Sequence, residues 1–196
     1  MTEDDSADRG VVWARRQAAE WLSLPQFYEQ RWPHVVAVSR KAERLGPAFS
    51  VDEAALLAAA GWLHDLGYSP ELAVTGFHHL DGANALVARG ACRRLSALVA
   101  NHSSGALEAP MRGLEAEMAA YQDEASPVRD ALWTCDMTTS PTGEPIDFED
   151  RLRDIVHRYG PGHSVSRSIT AGAYEIRAAI ERTRQRARAA GLAVDF

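Results

Sequence analysis

The sequence predicts an all-α fold of about eight to ten helices, and three observations carry that expectation. Nearly every patterned segment repeats its apolar residues at three-and-four spacing, the period of a helix. No run alternates polar and apolar residues for long enough to make a strand. Most of the segments stop at a Gly or a Pro, residues that punctuate helices rather than continue them.

In chain order, Val11 to Leu22 is the first helical stretch and ends before Pro25. Gln26 to Leu45 is the second. It contains Pro33, which suits a first turn, so the helix can equally begin near Trp32. Gly46-Pro47 ends it. Ser50 is the expected N-cap of Val51 to Leu66, with Glu53 in the capping-box position and Gly67 as the C-terminal cap. Ser69-Pro70-Glu71 opens a short turn. A helix from His78 or His79 to Val87 ends at Gly90, and Cys92 to His102 follows. A loop then runs to Pro110. Met111 to Tyr121, Pro127 to Met137, Phe148 to Tyr159 and Ser166 to Ala190 complete the set. Residues 1–9 are expected to be a flexible tail, and 10–190 one domain with its C-terminal helices over 147–190. Thr139 to Pro145 is the most loop-like interior stretch and is expected to cover a site.

At 196 residues, 46% hydrophobic and 24% charged, the chain has the size and composition of an ordinary globular domain. A chain of this length buries roughly 70% of its unfolded surface and needs no disulfide staples. Cys92 and Cys135 fit neither a paired-thiolate metal site nor a disulfide framework, which suggests a reducing, cytoplasmic setting. No apolar run approaches the ~20 residues of a membrane span, and the acidic start is not a secretory signal. A net charge of −6 disfavours nucleic acid or an anionic membrane as the main partner. Lys41 is the only lysine, so any phosphate-binding cation is expected to be an arginine.

The chemistry gathers at histidines and aspartates. His64 and Asp65 close an almost wholly apolar helix, AALLAAAGWLHDLG, and two polar groups at the end of a buried helix must be satisfied. A metal ion is one solution, since imidazole and carboxylate are standard ligands for Zn, Fe and Mn. A capped helix end with a surface His-Asp pair is the other. His34 shares a stripe with Val38, Ala42 and Leu45, so it points inward, either as a hydrogen-bonded core histidine or as a ligand. Asp136 lies on the face of Val128 and Leu132, where a carboxylate is costly unless paired or bound to a cation.

Taken together, His34, His64-Asp65 and Asp136 lie on three separate predicted helices. This order resembles the signature H…HD…D of the HD superfamily of metal-dependent phosphohydrolases, over about Arg31 to Asp136. The resemblance implies an all-α scaffold with a metal site, its signature spanning 31–137. Arg31, three residues before His34, matches many members. GFHHLDGANAL places His78 four residues before Gly82-Ala83, like the extra helix of dinuclear members, and His102 stands where those members carry a further ligand. The implied ligands are His34, His64, Asp65, His78, His102 and Asp136, for one or two divalent ions (Fe, Mn or Zn) with Asp65 as bridge and catalytic carboxylate. His79 is then expected to face the opening and the substrate, the two roles swapping if the helix register is off by one. Many relatives that cleave cyclic dinucleotides or nucleoside polyphosphates carry Lys three residues after the motif Asp. Here that residue is Tyr68, a neutral group able to donate one hydrogen bond to substrate.

The function implied is hydrolysis of a small phosphate ester or nucleotide, with Arg31, Tyr68 and His79 contacting substrate. The alternatives are a di-iron oxygenase of the same fold acting on a small polar substrate, and a non-catalytic metal-stabilised binding module. Past Asp136 the signature stops. His163, in RYGPGHSVSR, reads as a turn or capping residue. Arg182, Arg184, Arg186 and Arg188 read as a solvated face near a helix C-terminus, where cations complement the dipole.

Overall fold

A computed structural model describes residues 3–24 and 31–193. Among these residues there are ten α-helices, three short 3₁₀ turns and no strand. The helices are α1 (Glu3–Leu22), α2 (Trp32–Leu45), α3 (Val51–Leu63), α4 (His78–Ala88), α5 (Arg93–Ala100), α6 (Gly105–Glu108), α7 (Glu115–Met118), α8 (Pro127–Met137), α9 (Phe148–Tyr159) and α10 (Ser164–Ala189). No helix of the described residues is long and apolar enough to cross a membrane.

The centre of the molecule is α8, of which every residue from Val128 to Met137 is buried. One face, with Val128, Ala131, Leu132 and Cys135, joins α1, α2, α3 and α5 in the largest apolar cluster. The opposite face, with Trp133 and Met137, packs on Ile155 of α9 and on Ile169, Ala173, Ile176 and Ile180 of α10. A third cluster, Phe77, Leu80, Ala83, Ala100, Ala109 and Met118, fixes α4 against the short helices. Burying an aliphatic side chain such as Leu132 stabilises by roughly 1.5–3 kcal/mol, and α8 makes such contacts on both faces. A carboxylate carried by this helix therefore sits between two cores.

Most helix limits agree with the apolar periodicity. Ser50 caps α3 in a complete capping box with Glu53. Pro33 stands in the first turn of α2, which starts at Trp32, and residues 26–30 of the predicted stretch lie outside those described. His163 caps α10 by accepting from the Val165 N–H. Helix α1 begins at Glu3, well before the expected start at Val11.

Three expectations need correction. Gly67 does not cap α3. That helix ends at Leu63, and Gly67 lies in a 3₁₀ turn, Leu66–Tyr68. A Cβ there would stand 2.0 Å from the His78 carbonyl oxygen and 2.5 Å from the Gly82 nitrogen, so only glycine lets α4 approach this closely. Met111 to Tyr121 is not one helix. Gly113 adopts left-handed backbone (φ 72°) and ends the 3₁₀ turn Ala109–Arg112, leaving only Glu115–Met118 helical. Finally, the stretch read as a loop up to Pro110 contains α6, a single turn too short to show periodicity.

Candidate metal centre

The polar end of α3 meets the first turn of α2, the last turn of α8, the start of α4 and the turn after α5. Each helix is oriented by its apolar contacts, and each brings one or two histidines or aspartates to the meeting point. His34, His64, His79, Asp65, His102 and Asp136 are all at most 6% exposed, and His78 is partly buried.

The groups form two sets. His34, His64 and Asp136 offer ligand atoms within 4.8 Å of one another, and so do His78, His79 and His102. Asp65 lies between the sets. Its Oδ2 is 3.4 Å from His64 Nε2 and 3.9 Å from His34 Nε2. Its Oδ1 is 3.8 Å from His78 Nε2 and 3.9 Å from His102 Nε2. One carboxylate thus turns one oxygen toward each set.

The histidine tautomers follow from their outer contacts. His34 Nδ1 is 2.9 Å from the Ser140 carbonyl oxygen, His64 Nδ1 3.0 Å from that of Gly61, and His102 Nδ1 2.6 Å from that of Val99. Carbonyl oxygens only accept, so each of these three Nδ1 atoms carries a proton and each ring turns its Nε2 toward the cluster. Yet His34 and His64 place these Nε2 atoms 3.3 Å apart, and His78 and His102 place theirs at 3.2 Å. Imidazole nitrogens and carboxylate oxygens gathered at this spacing are the donor types that divalent transition metals take. These buried His/Asp groups could hold a metal ion.

Proton affinities set His64 apart from the other four histidines. Burial is the largest influence holding the His78, His79 and His102 pKa values below the usual imidazole range, with neighbouring imidazoles adding to it, and His102 falls to about 4. Burial also lowers His34, against the opposing hydrogen bond with Asp136. Burial pulls His64 down as well, but the Asp65 charge and hydrogen bond, the Asp136 charge and the Gly61 carbonyl together raise it. Burial opposes ionisation of Asp65 and Asp136 as well. The Arg31 charge nevertheless holds Asp65, and the His34 hydrogen bond holds Asp136, below the usual carboxylate range.

The Thr139 to Pro145 loop reaches the centre through its backbone, since Ser140 supplies the carbonyl that orients His34. A bridge between Thr139 and Pro145 closes it. Ser103 carries no signal in the sequence. Its hydroxyl donates a short hydrogen bond to Asp136 Oδ2, and its backbone takes the rare φ of 54° for a non-glycine residue.

The expected substrate-contacting residues all line one cleft of about 100 Å³ beside this cluster. Arg31 donates to Asp65 Oδ2 at 2.6 Å and lies 3.7 Å over the Tyr68 ring. Tyr68 also stacks on His78 at 4.0 Å. His79 is not turned toward solvent. Its ring stacks on His102 at 4.0 Å and is 3% exposed, because the first turn of α4 is enclosed on both sides. Gly105 makes room for it, since a Cβ there would lie 2.7 Å from His79 Nδ1. The opposite wall is α9 and α10, with Arg151, Ile155, Arg158, Tyr159, Val165 and Ile169. The sequence offers no signal for these residues, which lie beyond the end of the signature. Arg182 is exposed, as expected of a solvated face, and is also paired. It donates to Asp130 at 2.6 Å and to Glu175 at 2.7 Å, tying α10 to α8. Cys92 and Cys135 are both free thiols.

Comparison with protein-family models, with curated proteins and with solved structures found no match.

Proposed function

We propose that this chain is a metal-dependent hydrolase of the HD type, acting on a small phosphate ester or nucleotide. The observation that carries the reading is the convergence of histidine Nε2 atoms on both sides of one buried carboxylate, Asp65. The donor set fits a pair of borderline transition metals such as Fe, Mn or Zn: neutral imidazoles, shared carboxylates and no thiolate. His34, His64 and Asp136 would hold one ion, His78 and His102 the other, and Asp65 would serve both.

When bound, such ions supply Lewis acidity toward water and a phosphoryl oxygen. The chain's own residues do the rest. Ser103 and the Ser140 carbonyl hold Asp136 and His34 in place, so the donors are set before substrate arrives. Arg31 fixes the Asp65 carboxylate and brings a positive charge to the cleft, where a phosphate oxygen needs one. Tyr68 presents its phenol at the same edge, and burial pushes its pKa above the usual range, so it remains a neutral hydrogen-bond donor. The apolar wall of Ile155, Val165 and Ile169 limits water on the far side.

The test is metal analysis of protein purified without chelator, followed by aryl phosphate and nucleotide assays with Mn²⁺ or Fe²⁺. Hydrolysis that stops with EDTA is expected. Iron-dependent O₂ uptake on a small polar substrate, with no phosphate released, would replace this reading by an oxygenase. Bound metal with neither activity would leave a metal-stabilised binding module.

A further inference from the structure

Among the described residues three arginines line the cleft, and two of them are already committed. Arg31 is paired with Asp65 at 2.6 Å. Arg158 donates through Nε at 3.0 Å and lies through Nη2 at 2.9 Å on Asp154. Arg151 differs. It is 6% exposed, and its Nε has no hydrogen-bond partner. Its ion pair with Asp154 is long, Nη1 to Oδ2 at 3.4 Å, on a carboxylate that Arg158 already holds more closely.

The favourable charge neighbours of Arg151 are Asp136 and Asp65 of the cluster and Asp154, and only Asp154 is in direct contact. Burying a charge without full pairing is costly. Arg151 also stands at the start of α9, four residues past its N-cap Asp147, where the helix dipole disfavours a cation. The other buried arginine with an unpartnered Nε, Arg129, shows what a structural solution looks like. It has Asp123 at 3.3 Å and Asp130 and Glu175 at 3.4 Å around it. Arg151 touches one carboxylate only, Asp154, and lines the same cleft as Asp65 and Asp136 of the cluster.

We propose that Arg151 is the anion anchor of this cleft, binding an oxygen of a compact phosphate monoester whose phosphoryl group faces the His/Asp cluster. The proposal rests on the reading of the cluster as a metal-assisted phosphate-ester site, and it narrows the substrate. The cleft holds about 100 Å³, below the ~300 Å³ at which drug-sized ligands begin to be enclosed. A phosphoryl group with a small carbon portion against Ile155, Val165 and Ile169 fits, and a whole nucleotide does not fit within the enclosed space.

The test uses inorganic phosphate as probe on the full chain loaded with Zn²⁺. Arg151→Met is expected to keep its Zn²⁺ content and to bind phosphate at least ~10-fold more weakly, as for loss of one charge-assisted contact. Arg151→Lys, which keeps the charge but not the fork, is expected to lie between. The Arg151 Nε–H resonance, assigned by its loss in Arg151→Lys, should shift as phosphate is added, which gives a reading even if Arg151→Met does not fold. Repeating that titration in EDTA separates the two claims. A chain that binds no Zn²⁺ but whose Arg151 resonance moves with phosphate has lost the metal reading and kept this one. Unchanged phosphate affinity in the folded variants, or an unmoved resonance at saturating phosphate, overturns the proposal.

Discussion

The two histidine sets are built from the same side chain and differ in what surrounds it. His34 lies on the long helix α2 and His64 caps the C-terminus of α3, both beside the largest apolar cluster, with Asp136 3.1 Å from His34 and Asp65 3.4 Å from His64. His78, His79 and His102 lie at the start of α4 and in the turn after α5. Their nearest carboxylate oxygen is Asp65 Oδ1, at 3.8 Å from His78 and 3.9 Å from His102. The first set therefore has two carboxylates within 3.4 Å of its imidazoles, and the ion-pair contacts of the second set start at 3.8 Å. A dication is held more tightly where more charge is fixed at short range. The first set is thus expected to be the strong site and the second the exchangeable one.

The largest effect should come from the residue the two sets share. Asp65→Asn removes the charge from both and leaves the Arg31 guanidinium without its partner. Metal content is expected to fall from two ions toward none, by more than the ~10–100-fold loss of affinity typical of an outer-shell change. Elemental analysis after dialysis reads this directly. Two retained ions would show that Asp65 is not the bridge.

The comparison itself is tested by breaking each set alone. His64→Ala should lose the tighter ion and, with it, hydrolysis. The double variant His78→Ala/His102→Ala should drop the stoichiometry from two toward one and keep the tighter binding step. Calorimetric titration with Mn²⁺ distinguishes the two, and a loss of the tight step in the double variant would reverse the assignment.

The smallest effect is a pH dependence of the metal-free protein. Burial holds His102 at about 4 and lowers His78 and His79 as well. Between about 6.5 and 4 the unfolded chain takes up a proton at position 102 and the folded chain does not, so stability falls as the pH falls through this window, and His78 and His79 act in the same direction. His102 alone contributes a loss of roughly 3 kcal/mol by pH 4, because each tenfold drop in proton affinity is worth about 1.4 kcal/mol. His64, raised by Asp65, acts the other way and stabilises below about 6.5. The lowered carboxylates Asp65 and Asp136 add their loss only below about 4. Melting curves at pH 7, 5.5 and 4.5, with EDTA and with Zn²⁺, should show a steeper fall without metal. Equal slopes would mean that protons and metal do not compete for these imidazoles.

Much of this architecture is legible residue by residue. Apolar periodicity sets the helices, including both ends of α8 and α9, and the Ser50 and Glu53 capping box sets the start of α3. The apolar stripe of α2 turns His34 inward, and the apolar run before His64-Asp65 buries that pair. These are local properties, fixed by which residues repeat at helical spacing. The tertiary structure decided the rest. Only packing shows that Gly67 exists to admit the backbone of α4, that His79 is enclosed beside His102, and that Ser103 reaches Asp136. Only packing brings Arg151, on a helix whose sequence reads as an ordinary amphipathic surface, to the cleft beside Asp65 and Asp136. The reason is physical. Periodicity reports which face of a helix is buried, but not what lies against it. Contacts between residues far apart in the chain depend on how separate helices cross, and no local pattern encodes that crossing.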